Sequence, residues 1–188
     1  MEQRGQVAIT RKDMEQKLAV VGDYVKMDYL QQCLKKQLDF DTRKFALLTL
    51  ATIYETRGMH LEAARLLRNA AEINTTYEGK MQDFMRSTGE FIKGSSYDEA
   101  HLSCMKALGC VAEKSKSSVK EAYKKLYFTH AEELIKKDKR KHALEAYERI
   151  LSLDMLTPEE KRKAQVAALP LYEKLGKVKE FLALKKQL

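Results

Sequence analysis

An all-α chain built from helical hairpins stacked as a solenoid, about five helix pairs in all, is the fold class that this sequence predicts. Three observations carry it. Only two prolines, Pro158 and Pro170, and eight glycines interrupt 188 residues rich in Leu, Ala, Lys and Glu, so little in the chain breaks a helix. No β-branched segment alternates with period two, as a half-buried strand would. A pattern of small residues on presumed buried faces also recurs, at intervals of 37, 43 and 38 residues.

The elements follow in order from helix-start and helix-stop signals. A first helix is expected over 9–20 and a second over 23–38, opened by Asp23. Asp41 opens a third over 42–57, and the single glycine Gly58 parts it from a fourth over 60–73. Four segments have Ser or Thr followed three residues later by Glu, the capping-box signature: Thr75–Glu78, Ser96–Glu99, Ser118–Glu121 and Thr157–Glu160. They open helices over 76–93, 97–112, 119–137 and 158–175, the last with Pro158 at its first helical position, where a missing N–H is harmless. Between the sixth and seventh helices, "EKSKSSVKE" reads as a polar loop that lengthens one interval to 43 residues. The remaining helices, 139–153 and 177–187, follow the basic turn "KKDKRKH" and Gly176. Residues 1–41 form an N-terminal hairpin and 42–188 the repeated array, together one domain.

The recurring device has a packing reason. Two helices approach closely only where a small side chain admits the neighbouring backbone. Ala63 occupies that slot, with Leu67 and Ala70 continuing its stripe and Leu50 and Tyr54 facing it. Ala100, Cys104 and Ala107 repeat the relation, as do Ala143, Tyr147 and Ile150, while a looser fourth copy puts Phe181 in the slot.

With these residues on the page, the chain resembles the tetratricopeptide repeat family. Leu47, Leu50, Ala51, Tyr54, Ala63 and Leu67 match its spacing; Phe84, Thr88, Phe91, Ala100 and Cys104 carry a second copy, and Tyr127, Ala131, Leu134, Ala143 and Tyr147 a third. Leu169, Tyr172 and Gly176 keep the trace of a fourth. The resemblance implies a right-handed superhelix whose concave groove is lined by the first helix of each hairpin, and a role in binding other proteins. Its register sets Leu48, Met85, Phe128 and Val166 as an apolar ladder on the inner surface, with Arg86, Lys125 and Lys163 beside it to favour acidic character. The alternative is that this ladder is hairpin-to-hairpin core, or is covered by the N-terminal helices. Thr49, Thr52 and Gln82 stand where tetratricopeptide domains that grip a chaperone's C-terminal carboxylate would want Asn, Asn and Lys, so that partner is not expected.

Charge and chemistry narrow the function. The net charge is +8, with +2 on residues 1–96 and +6 on 97–188, which permits an anionic partner. Lys136, Lys137, Lys139, Arg140 and Lys141 concentrate it, and RNA bound through the basic C-terminal half is the alternative function. No phosphate-loop, dinucleotide, nucleophile-elbow or zinc-protease string occurs. His101 and Cys104 lie one helical turn apart with Cys110 beyond, too few ligands for a zinc site, so core packing is expected, and neither metal, cofactor nor catalysis. Three cysteines without a CxxC suit a reduced cytoplasmic protein. The longest near-apolar stretch, "FALLTLATIY", is too short to span a membrane, and none is expected to be entered. The expectation is a non-catalytic adaptor or scaffold that holds a peptide or amphipathic helix of another protein.

Overall fold

A computed structural model describes residues 9–188; the first eight residues of the expected N-terminal unit lie outside the described residues. Among the described residues the chain is all-helical, without strands, and its helices pack in adjacent pairs. They are α1 (Arg11–Ala19), α2 (Asp23–Leu34), α3 (Phe40–Thr56), α4 (His60–Ile73), α5 (Tyr77–Lys93), α6 (Tyr97–Gly109), α7 (Glu113–Lys136), α8 (Arg140–Leu151), α9 (Pro158–Lys174) and α10 (Val178–Lys185). None of these is long and apolar enough to cross a membrane.

Four pairs, α3–α4, α5–α6, α7–α8 and α9–α10, close on the same turn. Gly58, Ser95, Asp138 and Gly176 hold φ of 71°, 57°, 55° and 69°, each two residues before the next helix begins. The following residue (Met59, Ser96, Lys139 or Lys177) donates its N–H to the carbonyl five residues back, on Tyr54, Phe91, Leu134 or Tyr172, at 2.8–3.0 Å. One bond thus satisfies an orphan carbonyl of the outgoing helix and fixes the entry to the next. The left-handed residues are 37, 43 and 38 positions apart, the same intervals as the small-residue slots.

The long interval is taken up by helix and not by a loop. α7 has 24 residues where α3, α5 and α9 each have 17. The expected polar loop and the Ser118–Glu121 cap are therefore corrected: both residues lie inside α7. Extended Ala112 opens the helix, Glu113 sits in its first turn and pairs with Lys116 at 2.7 Å, and Val119 turns into the core. An acidic residue at the positive end of the helix dipole suffices to start it there. Two other starts also shift. Asp39, not Asp41, caps α3 by accepting from the Thr42 N–H at 3.0 Å, which stops α2 at Leu34 rather than 38. Thr76, not Thr75, caps α5 by accepting from the Gly79 N–H at 3.1 Å, beside the buried Asn74. The Thr157–Glu160 box forms in full at α9, with Pro158 in its first turn.

The small-residue slots are as tight as the close-approach argument requires. Ala63, Leu67, Ala70, Ala100, Cys104, Ala107, Ala143 and Ile150 are completely buried, and Tyr147 nearly so. Two core clusters meet at α4, where Ala63 belongs to one and its neighbour Ala64 to the other. Met14, Leu18, Leu30 and Cys33 of α1 and α2 join the first cluster, against α3. Phe84, Phe91, Tyr123, Tyr127 and Leu144 anchor the second, which runs on to α10.

Candidate partner-binding groove

From α2, successive helices pack closely until the α6–α7 junction. From α2 onward, no other successive pair meets so sparingly, and α7 leans on α5 as well. Gly89 lies at this contact: a Cβ there would stand 3.4 Å from Leu126 Cδ2, so α5 nears α7 without a side chain in between. A groove of about 370 Å³ opens at this contact, within the size range of small-ligand pockets. Met85, Gly89, Ile92, Ala122 and Leu126 make it predominantly apolar, with Lys93, Lys125, Thr129, His130 and Glu133 completing the wall.

Of the seven residues expected at a concave surface, the structure brings Met85 and Lys125 together in this groove. Leu48 is half-buried on α3, its carbonyl accepting from Thr52 Oγ1 at 3.0 Å. Arg86 reaches back from α5 to α3, donating to Glu55 at 2.7 Å and to Thr52 at 3.1 Å. Phe128 stacks edge-on against Tyr147 with centroids 6.5 Å apart, and Lys163 lies over its ring at 5.0 Å while approaching Glu132. Val166 is 54% exposed on α9.

A polar cluster adjoins the groove through Lys93. Glu90 is almost fully buried, and its two oxygens are taken by His60 Nδ1 at 2.8 Å and by Lys93 Nζ at 2.6 Å. His130, on α7, is only 7% exposed, and its Nε2 has no hydrogen-bond partner among the described residues. Burial holds its pKa below the ordinary 6.5; His60, Lys137 and Lys93 push the same way, and Glu133 opposes them. Sequence reasoning passed over His130 and Gly89. A helical histidine and a helical glycine carry no motif, and only the approach of α5 to α7 gives either a role.

Lys124 was also missed. It is 3% exposed and grips Glu121 at 2.5 Å and Glu160 of α9 at 2.8 Å. Burial lowers its pKa, but hydrogen bonds to the two carboxylates outweigh that and leave it raised. The adjacent Lys125, expected from the sequence, is exposed and carries no ion pair among the described residues.

The basic turn stands apart from these ion pairs. Lys136, Lys137, Lys139, Arg140 and Lys141 are all exposed around the α7–α8 turn; Arg140 pairs with Asp138 at 2.8 Å. Cys104 is fully buried and its thiol is pushed up to about 12 by that burial, while His101 Nδ1 lies 3.5 Å from the Tyr123 hydroxyl. Among the described residues no group of three or more His, Cys, Asp or Glu side chains is arranged to hold a metal ion, and all three cysteines are free. Neither a scan against protein-family models nor a search of curated proteins gives a match to the chain.

Proposed function

We propose that this chain is a non-catalytic adaptor or scaffold of the tetratricopeptide-like kind, an array of stacked helical hairpins that holds a peptide or amphipathic helix of another protein. The working surface is the groove between α5 and α7. One observation carries the reading: an open, mostly apolar groove lies where α7 packs against α5, with Lys125, which carries no ion pair among the described residues, on its rim. An apolar floor accepts side chains at helical spacing, and the cations select for acidic character. Free cysteines, two of them buried, suit a reducing cytoplasmic setting.

The test is a photo-crosslinking amino acid at Thr129, exposed on α7 at the groove, compared with one at Glu62, exposed on α4. The expected result is a discrete protein adduct at Thr129, insensitive to nuclease and absent at Glu62. Equal labelling at both positions would overturn the groove assignment. RNA binding through Lys136, Lys137, Lys139, Arg140 and Lys141 is the second reading, favoured by the exposure of the whole turn. It would replace the first if adducts formed at Lys139 and vanished with nuclease.

A further inference from the structure

Among the described residues, His130 is the groove residue that buries a polar side-chain atom without a partner. Its ring forms part of the groove wall and is 7% exposed, yet among the described residues Nε2 meets no acceptor or donor. A buried polar atom without a partner costs free energy that an occupant supplying the partner would recover. We propose that the groove is built for an amphipathic helical segment of another protein that presents a carboxylate beside its apolar stripe, and that His130 meets this carboxylate and takes up a proton as the segment docks. The proposal rests on the α5–α7 groove being the working surface.

The surroundings favour a carboxylate over a neutral group. The titratable groups that act on His130 are His60 from α4, Lys93 from α5, and Glu133 and Lys137 from α7 itself, and Lys125 lines the same groove. Glu90 has both oxygens engaged by His60 and Lys93, so it does not answer Nε2. Lys125 and Lys137 carry no ion pair among the described residues, and Glu133 is the free anion beside them. Before docking, burial and the cations oppose a charge on His130. Nε2 is itself shielded from solvent, so the ring turns outward as the segment arrives; the incoming carboxylate then removes both objections, because it accepts a hydrogen bond from the ring and supplies the counter-charge. The proton comes from solvent, and the docked pair is imidazolium and carboxylate. Binding is therefore linked to proton uptake and strengthens as pH falls. The apolar stem of the same occupant lies over Gly89 and Ala122, where the floor is lowest in side-chain bulk.

The experiment uses the full chain with two probes of one shape, 4-phenylbutyrate and the neutral 4-phenylbutanamide, followed through the His130 ring resonances at about pH 6 and about pH 7.5. The expected result is that both probes perturb the groove. Only the carboxylate should raise the His130 titration midpoint and bind at least about fivefold more tightly at the lower pH. His130→Gln, which keeps a hydrogen-bonding group but cannot titrate, should bind the carboxylate with no pH dependence and retain the wild-type melting profile at neutral pH. If both probes bind with the same pH profile, or if His130→Gln keeps the pH dependence, the proton-linked anchor is wrong while the groove reading stands. If neither probe moves any groove resonance, both fall together.

Discussion

Replacing Gly58 by alanine tests the shared turn with an unusually clean perturbation. Gly58 holds φ of +71°, and a Cβ built there meets nothing within 4 Å. No clash contributes, so the loss is conformational. The left-handed region costs a residue with a Cβ about 1–2 kcal/mol. The lower entropy of alanine in the unfolded chain returns about 0.4–1 kcal/mol. The net expectation is a destabilisation of about 1 kcal/mol, or about 2–4 °C in melting temperature for a chain of this size. Gly176, at +69° with open space around it, should behave alike. Ser95 holds the equivalent position at +57°, so Ser95→Gly should change stability in the opposite sense, by up to about 1 kcal/mol. Urea unfolding followed by far-ultraviolet circular dichroism measures all three. A neutral Gly58→Ala together with a destabilising Ser95→Gly would refute the claim that the hairpins share one turn.

Three further expectations follow from the packing and the buried charges. Ala100→Leu forces a branched side chain into a completely buried crossing and should cost about 1–3 kcal/mol, measured by chemical denaturation; no loss would mean that the slot is not a close approach. Lys124→Met should cost about 1–2 kcal/mol, below the full penalty of a broken buried pair, because Glu121 is 64% exposed and recovers its hydration. The raised pKa of Lys124 means its contribution is whole below pH 10.5 and is lost as pH rises through the higher folded value, a loss that Lys124→Met should not show. His130 has the opposite sign. Its pKa is lowered in the folded chain, so stability is full above pH 6.5 and falls as pH drops below it; His130→Gln should flatten that limb in melting curves taken across pH.

Much of the fold is legible in the sequence because the signals are local. Thr157, Pro158 and Glu160 specify a helix start within four residues, and the structure forms that box completely. The buried slots at Ala63, Ala100 and Ala143 follow from size and helical phase alone. Ser118–Glu121 shows where this fails: Ser and Glu three apart also occur on a solvated helix face, and an earlier start at Glu113 competes successfully. The groove is less legible. Met85 and Lys125 line it, but a register that treats every hairpin alike does not give the orientation of α7, whose extra turns change the stacking. Phe128 consequently packs with Tyr147 under Lys163, and the residues that shape the groove, Gly89 and His130, are defined by contacts distant in sequence.

The most direct test of the central claim compares two charge changes on one captured protein partner. Ala122→Glu places a charge at an exposed position in the groove wall, and the double variant Lys139→Glu, Lys141→Glu reverses the basic turn. Affinities would be titrated at about 50 mM and about 200 mM salt. Binding through the groove requires Ala122→Glu to abolish capture, the double variant to leave it within about twofold, and salt to change it little. Loss with the double variant, a steep fall with salt and indifference to Ala122→Glu would place the working surface at the α7–α8 turn and contradict the account.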